Sequence, residues 1–181
     1  MTCIVGITDG KTVTIGGDSA GTNSYMDLTL RADLKVWSDD EWAFGFCGSF
    51  RMGQILRHAF SPPAMMRDQD LDHFMCVSFI DAVRQALKDG GYAKSNKGEE
   101  EGGNFLVGHS GRLFNIQSDY QVGETTDAFD AIGCGEPFAR GALMALPTSM
   151  QARARAKKAL EIAAACSGGV RGPFHIVSVT A

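Results

Sequence analysis

Thr2 follows Met1 at the head of an apolar run, Cys3-Ile4-Val5-Gly6-Ile7. A threonine hydroxyl is a poor nucleophile until a base takes its proton. When the threonine is the first residue of the chain, its own α-amine titrates at roughly 7.7–8.0 and serves as that base. Threonine is small enough for methionine aminopeptidase to act before it, so the sequence predicts that Thr2 becomes the mature N-terminus without a propeptide. Asp18 closes Gly16-Gly17-Asp18-Ser19, and Lys35 stands alone in Leu34-Lys35-Val36-Trp37. Gly48 ends Trp42-Ala43-Phe44-Gly45-Phe46-Cys47-Gly48, where a glycine lets backbone approach a ligand closely. Together they offer a nucleophile with its own base, a carboxylate to meet them, a lone lysine and a glycine where backbone can approach a ligand. Each also has an ordinary reading: Asp18 as a loop cap, and Lys35 as an edge-strand lysine that snorkels.

Those residues work together only if the chain brings them together. Asp9-Gly10 lies between two β-prone runs, which is a strong hairpin signal. The hairpin over about 3–18 returns the chain to its own start and carries Asp18 toward Thr2. A second hairpin over about 34–47, turning at Ser38-Asp39-Asp40-Glu41, carries Lys35 out and Gly48 back.

The order Thr2, Gly-Gly-Asp18, Leu-Lys35-Val, Gly-Phe-Cys-Gly48 resembles the start of a proteasome β-type subunit, above all the bacterial HslV-like peptidases. Downstream, Ala131-Ile132-Gly133-Cys134-Gly135-Glu136-Pro137-Phe138-Ala139 resembles that family's Ile-Gly-Ser-Gly-x-Pro-Tyr-Ala stretch. Ala159-Leu160-Glu161-Ile162-Ala163 resembles its late helix, and Ser167-Gly168-Gly169 the loop after it. The resemblance covers nearly the whole chain. It implies a threonine endopeptidase of the N-terminal nucleophile hydrolase superfamily, with an α+β fold: a four-layer α-β-β-α sandwich of two antiparallel sheets with outer helices.

The resemblance also assigns roles. Thr2 attacks the peptide carbonyl, and Lys35, held charged by Asp18, stabilises the alkoxide. The Gly48 N–H stabilises the oxyanion, and Cys134 and Ser167 belong to the catalytic cluster. Thr22 and Gly48 pair with substrate backbone, and Phe46 shapes the pocket for the residue before the cut. Two departures stand out: Cys134 replaces the family's serine, a weaker hydrogen-bonding group, and Ala164 stands where many proteasome subunits carry an aspartate. By the same resemblance the substrate is a peptide or unfolded protein, the assembly is a homo-oligomer of stacked rings, and an ATP-driven unfoldase is the further partner. Met52, Ile55 and Leu56 are candidates for ring contacts, or else pack on their own sheet. The alternatives are a non-catalytic or weakly active ring subunit, and an N-terminal nucleophile amidase acting on a small-molecule amide.

With 181 residues the chain reads as a single domain, 1–181, large enough for a substantial core. A net charge of −4 without a basic stripe offers nothing to nucleic acid or an anionic membrane surface. Five cysteines with no CxxC, and no apolar run long enough to span a bilayer, read as reduced thiols in a cytoplasmic protein. The four histidines share no ligand spacing, so neither a metal nor another cofactor is expected. Cys3 would be a nucleophile only if Thr2 were also removed, and Cys47 reads as a packing residue.

The remaining pattern predicts a looser stretch from Gly21 to Ala32 and a helix from Phe50 to before Pro62-Pro63. A second helix is expected over about 69–89, where Leu71, Phe74, Met75, Phe79, Ile80, Val83 and Leu87 recur at helical spacing. Residues 93–103 read as a polar loop tipped by Glu99-Glu100-Glu101. Strands follow near 104–109, 112–117 and 128–132, then helices near 135–146 and 149–165 and a last strand over about 174–179.

Overall fold

The computed structural model describes residues 1–25, 27–92, 94–96 and 99–181. The strands, in chain order, are β1 Ile4–Thr8, β2 Thr12–Gly17, β3 Ala20–Thr22, β4 Leu28–Leu30, β5 Val36–Asp39, β6 Trp42–Phe46, β7 Lys94–Asn96, β8 Glu99–Glu101, β9 Phe105–His109, β10 Arg112–Ile116, β11 Val122–Gly123, β12 Phe129–Ile132 and β13 His175–Thr180. The helices are α1 Phe50–His58, α2 Leu71–His73, α3 Ile80–Asp89, α4 Glu136–Ala145 and α5 Ala152–Cys166, with a π-helical segment Phe74–Phe79 joining α2 to α3.

Two antiparallel sheets face each other, one in the order β12-β1-β2-β13 and the other β11-β10-β9-β6-β5. Ile4, Val13, Ile15, Val36, Leu106 and Leu113 fill the space between them. The outer face of the first sheet is covered by α4 and α5 through Val5, Ile7, Leu143 and Leu160. The outer face of the second is covered by α1, the π segment and α3 through Phe44, Phe46, Phe79 and Val83. The result is the α-β-β-α sandwich expected. It also explains why Trp42 through Cys47 are buried without a polar break: alternate residues face a helix layer and the opposite sheet, and neither face is wet.

Local chemistry fixes the element ends. In the β1–β2 turn, Asp9 Oδ1 accepts from the Lys11 and Thr12 amides at 2.9 and 2.7 Å, which closes the hairpin. Ser49 caps α1, its hydroxyl accepting from the Met52 N–H at 3.3 Å, and Arg57 and His58 sit at the helix's negative end. Pro137 opens α4, where a missing N–H is harmless.

Five expectations are corrected. Lys35 lies one residue before β5 rather than in a strand. The looser stretch after Gly21 carries a short ribbon, β3–β4. The polar segment 93–103 is not all loop: β7 pairs with β8, and Glu100 accepts from Arg84 at 2.8 Å, though Ala93, Lys97 and Gly98 fall outside the described residues. The helix over 71–89 exists but winds to π form in its middle, a widening that helical spacing alone does not reveal. Met52, Ile55 and Leu56 are 0, 2 and 2 % exposed in the core against their own sheet, so they are not ring contacts. β11, two residues long, was too short to register in the sequence.

Candidate active site

The β1–β2 hairpin pairs Ile4 with Gly17, and the residues beyond that pair face each other across its open end. The Asp18 N–H donates to the Cys3 carbonyl at 3.3 Å, and the Cys3 N–H donates to Asp18 Oδ1 at 3.1 Å. Asp18 Oδ2 accepts from the Ala20 N–H at 3.0 Å and the Arg171 N–H at 3.2 Å. Asp18 therefore ties the first strand, the β3 ribbon and the loop after α5 to one carboxylate. The β5–β6 hairpin delivers Lys35 to the same place. Its Nζ donates to Asp18 Oδ1 at 2.8 Å, to the Ala20 carbonyl at 2.6 Å and to Thr2 Oγ1 at 2.9 Å. All three ammonium protons are thus used.

The Lys35 and Asp18 side chains are 1 % and 0 % exposed, and Thr2 is buried with them. Burial pushes the Lys35 ammonium below the ordinary lysine value, and the Asp18 carboxylate opposes that fall without cancelling it. The lysine is thus more easily deprotonated than a surface lysine and still holds three acceptors. Such a group can sit beside a hydroxyl and can meet negative charge if it develops there.

On the other side of Thr2, β12 pairs with β1 and carries the Gly133-Cys134-Gly135 turn against it. The Gly135 N–H donates to the Thr2 carbonyl at 3.2 Å, and Cys134 Sγ accepts from the Thr2 N–H at 3.3 Å. Ser167, the cap residue ending α5, places Oγ 3.6 Å from Cys134 Sγ. The structure thus joins Ser167, Cys134 and the Thr2 nitrogen in one chain of contacts. Met1 precedes Thr2 here, so that nitrogen is an amide, and the Thr2 hydroxyl donates to the Met1 carbonyl.

Gly48 follows β6 with φ +84°, a left-handed conformation that only glycine adopts without strain, and a Cβ there would meet nothing within 4 Å. Its N–H makes no hydrogen bond among the described residues, and the residue is exposed. Thr22 is half-buried at the end of β3. Phe46 is a correction: strand alternation turns its ring to the helix side, 4 % exposed, with Phe50 edge-on at 5.7 Å. The ring nearest the cleft is that of Phe50, 5.8 Å from Lys35 Nζ.

Sequence reasoning gave no role to Gly133 or Arg171. Gly133 has φ +95°, and a Cβ there would lie 2.3 Å from the Thr2 carbonyl oxygen. A glycine beside the Cys134 position was visible, but its closeness to residue 2 was not. Arg171 contributes a backbone N–H, which carries no side-chain signature. Burial pushes the Cys3 thiol up to about 12 and the Cys47 thiol up to about 11, so neither supplies a thiolate near neutral pH. A cavity of about 930 Å³ lies at the turn end of β5–β6 and is lined by none of Thr2, Asp18 or Lys35; position of reactive groups, not volume, marks the site.

No protein-family model and no curated protein matches the chain. Solved structures do. BPH from Thiobacillus denitrificans, in complex with epoxomicin, superposes with a TM-score of 0.78 at 19% identity over 98% of each chain. Eukaryotic HslV from Trypanosoma brucei superposes with a TM-score of 0.70 at 19% identity over 99% of each chain. The chain has the HslV-like fold of proteasome β-type subunits. A Gly-1 mutant of Anbu from Hyphomicrobium sp. strain MC1 shares the fold too, with a TM-score of 0.68 at 19% identity, covering 99% of this chain and 82% of that one. Within this HslV-like fold, the N-terminus of β1 lies where the two hairpins and the loop after α5 converge. Among the described residues no helix is long and apolar enough to cross a membrane, and no group of three or more histidine, cysteine or acidic residues is arranged to hold a metal.

Proposed function

We propose that residues 1–181 form one proteasome β-like unit whose Thr2, after loss of Met1, cleaves peptide bonds. The observation that carries this reading is the Lys35 ammonium, buried on Asp18 and 2.9 Å from Thr2 Oγ1. Nothing in the folding of a hydroxyl requires a buried, satisfied cation beside it. Loss of Met1 does two things to the site. It removes the carbonyl that the Thr2 hydroxyl donates to, and it turns the Thr2 amide into an amine. The hydroxyl proton then passes to that amine as Oγ1 bonds the substrate carbonyl carbon. The Gly48 N–H receives the oxyanion; losing a donor of this kind typically costs about 2.7–4 kcal/mol in the barrier. Collapse expels the substrate's amine, which takes the proton, and leaves an ester on Thr2. Water, deprotonated by the α-amine, then releases the acid and restores the hydroxyl. Cys134 Sγ contacts the nitrogen that does this work and holds it in place of the family's serine.

The complex of BPH, a protein of the same fold, with epoxomicin supports a ligand-binding site in this fold. The HslV likeness supports a homo-oligomer of stacked rings with Thr2 facing an inner chamber and an ATP-driven unfoldase as partner. Five free cysteines support a cytoplasmic setting.

Intact mass spectrometry with a peptide epoxyketone tests the reading. Met1-free protein gains the inhibitor's mass on Thr2 and cleaves peptides, whereas protein retaining Met1 does neither. Full-rate cleavage by the Met1-bearing chain would overturn it.

A further inference from the structure

Beside Lys35 lies a second, smaller cavity of about 220 Å³, lined by Gly21, Thr22, Asn23, Asp27, Thr29, Arg31 and Phe50. It is bounded by the ribbon and the helix start that flank the reacting groups. The Arg31 N–H donates to the Ser19 carbonyl at 2.9 Å, one residue from Asp18, and Phe50 stands two residues after Gly48. A substrate strand that reaches Gly48 along Thr22 therefore passes its side chains over this cavity, because alternate residues of a strand point to the same side.

What the cavity offers is a guanidinium. The Arg31 Cζ lies 4.0 Å over the centre of the Phe50 ring, and its stem crosses Gly21, where a Cβ would be 2.7 Å from Arg31 Cδ. The lack of a side chain at Gly21 is what admits this arm. Asp33 takes Nε and Nη2 at 2.7 Å each, so of the five guanidinium N–H groups three remain free. Asp33 does not line the cavity, and so it orients the fork without competing in the space a substrate would enter. Asp27, exposed, also lines the cavity, and its carboxylate is engaged by Asn23 Nδ2, which donates to it at 3.0 Å. A planar cation that lines a cleft, held by an aromatic face and a carboxylate outside the cleft and keeping three donors unused, is suited to bind a carboxylate.

We infer that Arg31 is a specificity-determining residue, and that the cavity selects substrates with an acidic side chain immediately before the cleaved bond. This rests on the peptidase reading and names its substrate class. Phe50, not Phe46, is then the aromatic wall of that pocket.

The test uses Met1-free protein and fluorogenic tetrapeptides that differ only in having Glu, Leu or Lys before the cut. The wild type is expected to show kcat/KM for Glu about tenfold or more above Leu and Lys. Arg31→Ala brings the Glu-to-Leu ratio to near one, and Arg31→Glu reverses the order so that Lys exceeds Glu. Reaction of each variant's Thr2 with the epoxyketone, read by mass, reports an intact site independently of peptide choice. If Thr2 reacts but the wild type does not favour Glu, or the ratio survives in Arg31→Ala, the acidic pocket is overturned while the peptidase reading stands. If Met1-free wild type neither reacts nor cleaves any of the three peptides, the peptidase reading falls and this inference with it.

Discussion

Replacing Lys35 with methionine removes one charge and little volume, and the structure says what that does. Lys35 and Asp18 are fully enclosed, and Nζ is the only side-chain partner of the carboxylate among the described residues. Breaking one side of such a pair typically costs about 3–5 kcal/mol, because the remaining charge stays buried. Here Asp18 keeps three backbone N–H donors from Cys3, Ala20 and Arg171, which places the cost at the lower end of that range. The Ala20 carbonyl also loses its donor. A loss of about 3 kcal/mol corresponds to a fall of about 6–12 °C in Tm for a chain of this size. The double variant Lys35→Met/Asp18→Asn removes both charges and is expected to be more stable than the sum of the single losses, by about 1 kcal/mol or more. Thermal unfolding by circular dichroism, at one fixed protein concentration so that assembly does not differ between samples, measures all three. Peptide cleavage is expected to disappear in every variant. A Lys35→Met protein within about 2 °C of wild type would refute the account of the pair as a buried, mutually dependent unit.

Gly133→Ala should cut turnover by about a hundredfold, since its Cβ would lie 2.3 Å from the Thr2 carbonyl oxygen and push the nucleophile off its line by an ångström or so; unchanged peptide kcat would reject this role for Gly133. His109 is stacked on Trp42 at 3.8 Å, and burial lowers its pKa below the usual 6.5, favouring the neutral ring. Its contribution to stability is therefore complete above the unfolded value of 6.5 and is lost as pH falls through the lower folded value. Denaturant midpoints measured between about pH 6.5 and pH 5 should decline in the wild type and decline less in His109→Phe; parallel slopes would exclude His109 as the cause.

Much of the site was legible because it is made of local signals in a fixed order. Asp9-Gly10 specifies a tight reversal, and a tight reversal of strands this long must return residue 18 to residue 2. The second hairpin does the same for Lys35 and Gly48, and Cys134 and Ser167 each lie just beyond a readable element end. Lys35 shows the limit of such reading. Read from the sequence as the catalytic lysine, its loss would remove turnover and spare the fold; read as an edge lysine, its loss would spare both. Its burden as the counter-charge of an enclosed carboxylate exists only when three separate segments close over Asp18.

The same division holds elsewhere. Apolar runs determined that strands and helices form and roughly where. They did not say which side each residue faces, because strands covered on both faces lose the alternation that would tell. So the sequence did not place Phe46 in the core, and on helix α1 it did not separate Phe50, at the cleft, from Met52, Ile55 and Leu56, which the protein's own sheet consumes. The contribution of Gly133 is the absence of an atom near a carbonyl from the far end of the chain, and that of Arg171 is a bare N–H. Arg31 reads as one more surface arginine until Gly21 and Phe50 are folded beside it. The sequence alone determined the parts and their order along the chain. Which groups are enclosed, which charges face one another and which donors are left free depend on contacts between separate segments, some of them more than a hundred residues apart, and only the tertiary structure decides them.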